Sequence, residues 1–502
     1  MKHIQRFGAA TARVAMGCLL AFGSAPALTA GLFVAQPGNM TRYELPGYTL
    51  MAVDNPQLRR DMTKLPRLKR ALELSLGIDV RATGIPTAVY IVSNSIWDRY
   101  LEPSTGIPSE FVPTRFTNYI IADNAGIDRG GLFHEHTHLY LYNQMPGVYP
   151  TWFDEGLAVM MSQAQYTGTQ VQIFPPRHND TGGWIPTARL LRVTKTSPEY
   201  LSEKQLYSFH FQSYAMLYRA LIDQPDFGKR VFKYLEAFNN LESPDEAEKA
   251  LGVSVADLDF QMRNYVNDSG KKRVMLDLKD VTDLKLPAGT PVSRLDSLLG
   301  IATICLDAGL HLDMVHELLE AADGESGGKP RAMPLRMRLA ARLKDDTKLE
   351  ELYGILSKES DAKVARAAGL ALFERVQTLD EQSSARRTDL MTRSFDLLNR
   401  SLATQADDPE AVWAFAMLSA DLKRDLDVAL QRLVPMFDRL PSNPDMAHAA
   451  GKVLYARGDQ NVMPYLTAVL RYAHTIEQKR WALERINALR AKAAAPQDAV
   501  AQ

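Results

Sequence analysis

Two histidines four positions apart, with a glutamate directly after the first, offer the chemistry of a hydrolytic metal site. The stretch reads Gly130-Gly131-Leu132-Phe133-His134-Glu135-His136-Thr137-His138-Leu139. On a helix, side chains four residues apart share a face, so His134 and His138 can aim imidazole nitrogens at one ion. Glu135 sits one step round, close enough to lean over a water without ligating the metal itself. Ten histidines in 502 residues would produce His-Glu-x-x-His by chance only about 0.01 times, so coincidence is a weak explanation. His136 falls about 200° from His134 around the helix and faces away from the ion.

A catalytic zinc takes three protein ligands and leaves a fourth position to water. Trp152-Phe153-Asp154-Glu155-Gly156-Leu157-Ala158 supplies the missing carboxylate, Glu155, near the start of a second helix. That helix begins at Thr151 after Pro150 and can fold back antiparallel to the first. Gly156 would let the two elements approach closely. Thr151 and Asp154, three apart, form a capping box, which makes Asp154 a cap. An acidic residue in a helix's first turn is also favoured by the helix dipole, so Glu155 gains its meaning from the histidine pair.

His-Glu-x-x-His followed by Trp-x-x-Glu-Gly-Leu-Ala resembles the gluzincin metallopeptidases, in particular the compact peptidase MA-like group. Sixteen residues separate His138 from Glu155, slightly fewer than in the aminopeptidase branch. The likeness is strong over about residues 118–160 and weaker over 40–270. It implies one zinc ion held by His134, His138 and Glu155, with Glu135 as general base. Zinc would lower the pKa of water towards about 7 and polarise the scissile carbonyl, and Glu135 would carry the proton to the leaving amine. The resemblance also implies an oxyanion donor on a downstream helix. His210 and Tyr214, four apart in Phe209-His210-Phe211-Gln212-Ser213-Tyr214, are the candidates, His210 ranking ahead; both also suit ordinary helix packing. An edge strand that aligns extended peptide is implied as well, and Asn118–Ala122 is the candidate. The aminopeptidase branch's Gly-x-Met-Glu-Asn segment is missing, which favours endopeptidase action on a peptide or protein substrate.

The elements that must position these residues follow an α+β order. Short β-rich runs at Thr49–Val53, Thr87–Val92 and Asn118–Ile121 come first, interrupted by a helix over Met62–Leu76 with leucines at helical spacing. Helices at Gly130–Asn143, Thr151–Gln163 and Ser202–Asp223 follow, with further helices to Asn267. A loop rich in Pro, Gly and Asn is expected at Gln165–Thr187. The expected fold is a zincin-like catalytic domain over 31–285, a small mixed sheet then helices. An all-α domain over 292–492 follows, beyond a junction marked by Lys271-Lys272-Arg273 and Pro287–Pro291. In that second half an offset of 34 relates Glu410, Trp413 and Met417 to Pro444 and Gly451, which resembles tetratricopeptide repeats, with a plain helical bundle as the alternative. Residues 493–502 read as a frayed tail.

Composition narrows the setting. Lys and Arg number 58 against 59 Asp and Glu, so no basic stripe is available for nucleic acid. Residues 1–30 have a positive start (Lys2, Arg6, Arg13), an apolar Val14–Phe22 and small residues up to Ala30, the layout of a cleaved signal peptide. Periplasmic or secreted location follows, with no membrane span after cleavage; an uncleaved anchor is the less favoured reading. Cys18 lacks the upstream aliphatic residue of a lipidation site. Cleavage would leave Cys305 as the single thiol, with no disulfide and no four-cysteine zinc site. His178, His311 and His448 show no ligand spacing. A second functional reading stands beside the peptidase: a catalytically quiet module on a repeat scaffold that binds a protein partner.

Overall fold

The computed structural model describes residues 39–494, apart from 54, 81–83, 103–107, 129, 178–182, 381–382 and 441–442. The expected leader with Cys18, His178, and the tail beyond 494 lie outside the described residues. Strands are numbered in chain order, and helices of nine or more residues likewise.

The chain opens with a hairpin, β1 (Met40–Leu45) and β2 (Tyr48–Val53), and crosses through α1 (Pro56–Leu76) to β3 (Thr87–Val92). α1 starts six residues before the leucine spacing suggests. Asn55 caps it by accepting from the backbone N–H groups of Gln57 and Leu58, and Pro56 follows at the position where its missing N–H costs nothing. Gly77 ends it at φ 66°, a left-handed conformation natural only to glycine. β4 (Ser109–Pro113) and β5 (Asn118–Asp123) complete the hairpin side of the sheet. With β9 (Thr290–Pro291) the sheet has six strands in the order β4-β5-β3-β2-β1-β9. β2–β3 and β3–β5 run parallel and the remaining pairs antiparallel.

Both faces of this sheet are covered at its centre, and β3 and β5 are therefore buried along nearly their whole length rather than alternating. Val89, Ile91, Ile120 and Ala122 pack towards α1 and the histidine-bearing helix α2 (Gly131–Gln144). Tyr90, Val92, Tyr119 and Ile121 pack towards α7 (Arg294–Ala308) and α8 (Val315–Asp323). The segment expected at a junction thus adds a strand, β9, to the sheet before its helices cover the second face. Cys305 is buried there, and burial pushes its thiol up to about 12.

Beyond α2 come α3 (Thr151–Ser162), α4 (Glu203–Tyr218), α5 (Pro225–Asn239) and α6 (Val255–Asn267). The stretch expected as loop holds a hairpin, β6 (Gln165–Thr167) and β7 (Gln170–Ile173), turned at Gly168 and joined by β8 (Val274–Asp277) into a second sheet. From α9 (Gly328–Leu343) the chain is helical: α10 (Asp346–Leu356), α11 (Ala362–Gln377), α12 (Ser384–Leu402), α13 (Pro409–Leu422), α14 (Leu426–Arg439), α15 (Pro444–Arg457), α16 (Met463–Tyr472) and α17 (Ile476–Ala494). Their core is built from Phe373, Phe395, Trp413, Phe415 and aliphatic neighbours. Gly369 is where close approach is needed, since an added Cβ would fall 2.9 Å from Leu398. Gly451 is not such a place, with its nearest neighbour 3.6 Å from an added Cβ.

The helical half meets the sheet-bearing half at several places, and two of them are built on polar groups. The tip of the β4–β5 hairpin is held by Asn443, whose Nδ2 donates to the Arg115 carbonyl at 2.7 Å, while the Arg115 guanidinium lies 4.5 Å from the Trp413 ring and 3.4 Å from Asp445. Lys479, fully buried, donates to Asn239 O (3.0 Å) and Oδ1 (2.7 Å) at the end of α5, and to Leu470 O (2.6 Å) and Arg471 O (3.2 Å) at the end of α16. A cation there satisfies the carbonyls and dipoles of two helix C-termini at once. Lys479→Met should cost about 3 kcal/mol by leaving buried acceptors unpaired, read as a lower urea midpoint; an unchanged midpoint would show that water replaces the ammonium freely.

His448 gives the helical half an acid sensitivity. It is buried, packs edge-on to Trp481 at 4.7 Å, and its Nε2 has no hydrogen-bond partner among the described residues. Burial, helped by Lys452, Arg115 and Arg485, pulls its pKa down to about 3. The folded value lies below the unfolded one of about 6.5, so the unfolded chain binds the proton first. The contribution of neutral His448 is therefore whole above pH 6.5 and lost as pH falls towards 3. His448→Phe should flatten the fall in melting temperature between pH 6.5 and pH 4; a slope equal to that of the parent would place the acid sensitivity elsewhere.

Candidate metal centre

α2 begins at Gly130, whose φ of 83° lets the chain turn sharply from the short helix after β5. Gly131 is pressed against the Gly126 carbonyl and the Ser109 hydroxyl, each 2.6 Å from where a Cβ would stand. This contact seats the histidine turn directly against β4. α3 then packs on α4 through Gly156, where a Cβ would lie 2.6 Å from the Ser213 carbonyl oxygen. The close approach expected of Gly156 is present, and its partner is α4, the helix that carries His210. Gly156→Ala should force these backbones apart, costing about 1–3 kcal/mol and shifting His210 from Glu155. Urea unfolding together with zinc affinity would register both, and a variant equal to the parent in each would refute the tight packing.

His134, His138 and Glu155 converge. Their facing atoms are 3.1 Å apart (His134 Nε2 to His138 Nε2), 3.3 Å (His134 Nε2 to Glu155 Oε2) and 3.5 Å (His138 Nε2 to Glu155 Oε2). Ligands at about 2.0–2.1 Å on a tetrahedral zinc stand about 3.3 Å from one another, so the donor set fits such an ion in both chemistry and spacing. The groups are screened from water: Glu155 is 2 % and His138 6 % exposed.

Neighbouring side chains fix these donors. His138 Nδ1 donates to Asp154 Oδ1 at 2.7 Å, which leaves Nε2 free to face the centre. Asp154 is therefore not the helix cap expected of it: the N-cap position is Pro150, with no side-chain cap bond, and Thr151 lies inside the helix. The Tyr200 hydroxyl donates to Glu155 Oε1 at 2.8 Å, turning Oε2 to the imidazoles. Burial would depress the His138 ring, but Asp154 and Glu155 overcome it and hold the ring well above its usual range. Burial likewise raises the Glu155 carboxyl, yet the charge of His138, with the rings of His134, His138 and His210 facing it, holds it well below the carboxylate range. A cation taken up here exchanges with that proton.

Glu135 lies beside the cluster and outside the ligating set, 3 % exposed, with Oε1 accepting from Ser109 Oγ at 2.8 Å. His210 Nε2 stands 3.5 Å from Glu155 Oε2 and has no hydrogen-bond partner among the described residues. Tyr214 is turned elsewhere, its hydroxyl donating to the Phe174 carbonyl. His136 faces away from the cluster, as its helical angle requires. Tyr48 donates to its Nε2 and Nδ1 donates to the Leu132 carbonyl, both at 2.7 Å, and burial takes its pKa down to about 4. His311 lies far along the chain against the Glu102 carbonyl, 2.8 Å from its Nε2.

The cluster forms the floor of a cleft of about 1430 Å³, bounded on one side by Ser109, Glu110 and Phe111 of β4 and on the other by Tyr207 and His210 of α4. β4 is the outermost strand beside it. Asn118–Ala122, the expected edge strand, is one strand further in: β5 pairs with β3 and β4 and is buried along its whole length. Ser109, Glu110, Asp154 and Tyr200 were not marked by the sequence as members of the site. No protein-family model matches the chain, and no curated protein matches it.

Proposed function

We propose that this protein is a zinc-dependent peptidase of gluzincin type, cleaving internal bonds of a peptide or protein substrate outside the cytoplasm. The observation that carries the reading is the convergence of two imidazole nitrogens and one carboxylate oxygen at zinc-ligand spacing, with a second, non-ligating carboxylate beside them in a cleft. Zinc bound by His134, His138 and Glu155 would supply Lewis-acid polarisation of the scissile carbonyl and an acidified water.

The remaining work falls to the chain. Glu135, oriented by Ser109, takes the water's proton and passes it to the leaving amine. His210 is the candidate donor to the oxyanion, because its ring enters the cleft with an unpartnered nitrogen, whereas the Tyr214 hydroxyl is engaged. β4, as outermost strand, offers backbone groups to an extended substrate by strand addition. The leader supports export, and the helical half, read as tetratricopeptide-like, is suited to a protein partner. No helix among the described residues is long and apolar enough to cross a membrane.

Purified mature protein should carry about one zinc per chain and cut a peptide library at internal bonds, with activity lost to a chelator and restored by zinc. Full zinc loading with no cleavage of any peptide would sink the peptidase reading.

A further inference from the structure

Glu110 is a charged residue without a structural task. It lies on β4 between Ser109, which serves Glu135, and Phe111, which packs edge-on to Tyr142 at 5.8 Å. Strand alternation turns Glu110 to the opposite side from these two, yet it still lines the cleft, because β4 is the sheet's rim. Its Oε2 is shut off from solvent and has no hydrogen-bond partner among the described residues. A buried carboxylate oxygen left unpaired is costly, by about 1–3 kcal/mol or more, and within a substrate cleft such a cost is recovered when a ligand supplies the donor. Burial raises the Glu110 carboxyl; Lys195 opposes that, and Glu135 and Glu155 add to it. Lys195, whose charge acts on Glu110 from across the cleft, and Arg177 also line it, and among the described residues neither comes within ion-pair distance of Glu110. The one strongly donor-hungry position on the strand that would align a peptide is thus anionic.

We propose that Glu110 is a subsite for a cationic group of the substrate, an ammonium or guanidinium, carried by a basic side chain or by a free amino-terminus. This rests on the peptidase reading and adds a preference to it. A cation close to Oε2, an atom already shut off from solvent, would form a charge-assisted hydrogen bond. A neutral isostere would leave the carboxylate unpaired, and such polar mismatches discriminate more sharply than differences in apolar bulk. An acidic substrate group would meet Glu110, Glu135 and Glu155 together.

The test uses matched peptides with lysine or norleucine at each position, with free or acetylated amino-termini, and a third set with glutamate. Wild-type protein should prefer the cationic member by about tenfold or more in kcat/KM. Glu110→Gln should collapse that ratio towards one, and Glu110→Lys should invert it towards glutamate. Because the ratio is read within each protein, a general loss of activity in a variant does not disturb it. Loss of preference on acetylation alone would assign the amino-terminus, and loss on norleucine replacement a side chain. Equal use of lysine and norleucine by the wild type, a glutamate preference, or a lysine preference that survives Glu110→Gln would overturn the proposal while leaving the peptidase intact. The same peptides, fluorescently labelled and bound to Glu135→Gln protein with and without Glu110→Gln, give the ratio as Kd by anisotropy. That readout decides the subsite even where no peptide is cut, the outcome that counts against the peptidase reading alone.

Discussion

Glu135→Gln should leave zinc content and folding unchanged and lower kcat for peptide hydrolysis by about 10²–10⁴-fold. The substitution keeps the shape of the side chain and an oxygen able to accept from Ser109 Oγ, the side-chain hydrogen bond that holds Glu135 among the described residues. It removes only the capacity to take a proton. Glu135 is outside the group of converging ligand atoms, so metal affinity has no reason to fall. Metal analysis and hydrolysis on one preparation make the check: lost activity with zinc retained is the signature of a proton carrier. Hydrolysis equal to the parent would remove Glu135 from the chemistry. Under the reading of a catalytically quiet module, binding of a protein partner would be the same in both proteins and no hydrolysis would be present to lose.

The helix-borne part of this site was legible in the sequence because helical geometry is local. A spacing of four dictates that His134 and His138 share a face, and the same arithmetic sends His136 to Tyr48 on the far side. The turn between α2 and α3 is short, so Glu155 too could be placed from chain-local reasoning. Strand order is a different matter. Asn118–Ala122 is a short apolar run shortly before α2, and an apolar run signals a strand covered on both faces, hence an interior one. The true edge, Ser109–Pro113, carries Glu110 and ends in proline, traits that suit an edge but weaken any strand signal. Ser109 and Tyr200 act over separations of 26 and 45 residues, and no periodicity encodes such contacts. Asp154 was misassigned for a related reason. Its position in a first turn fits a cap, and only the packing of α3 on α2 shows that its carboxylate goes to His138 instead. The β6–β7 hairpin escaped notice because its strands are three and four residues long and gain their pairing from β8, about a hundred positions later.

Glu155→Ala should abolish stable zinc binding, and the graded losses around it should reveal the second layer of the site. Glu155 is the only carboxylate among the three converging donors, and its two oxygens are divided between tasks: Oε2 faces His134, His138 and His210, and Oε1 accepts from Tyr200. Removing it leaves two imidazoles and takes from His138 one of the two carboxylates, Asp154 being the other, that hold its ring well above the usual range. Two ligands on one helix hold a divalent ion far more weakly than three. Asp154→Ala and Tyr200→Phe leave all three donors in place and remove only what orients them, so zinc affinity should fall by about 10–100-fold in each. Competition against a chromogenic chelator would rank the variants, with Glu155→Ala weakest, Asp154→Ala and Tyr200→Phe intermediate and the parent tightest. Zinc affinity of Glu155→Ala equal to that of the parent would mean that the ion, if held at all, is held elsewhere. Parent-like affinity of Asp154→Ala would reduce its bond to His138 to a favourable charge in a helix's first turn.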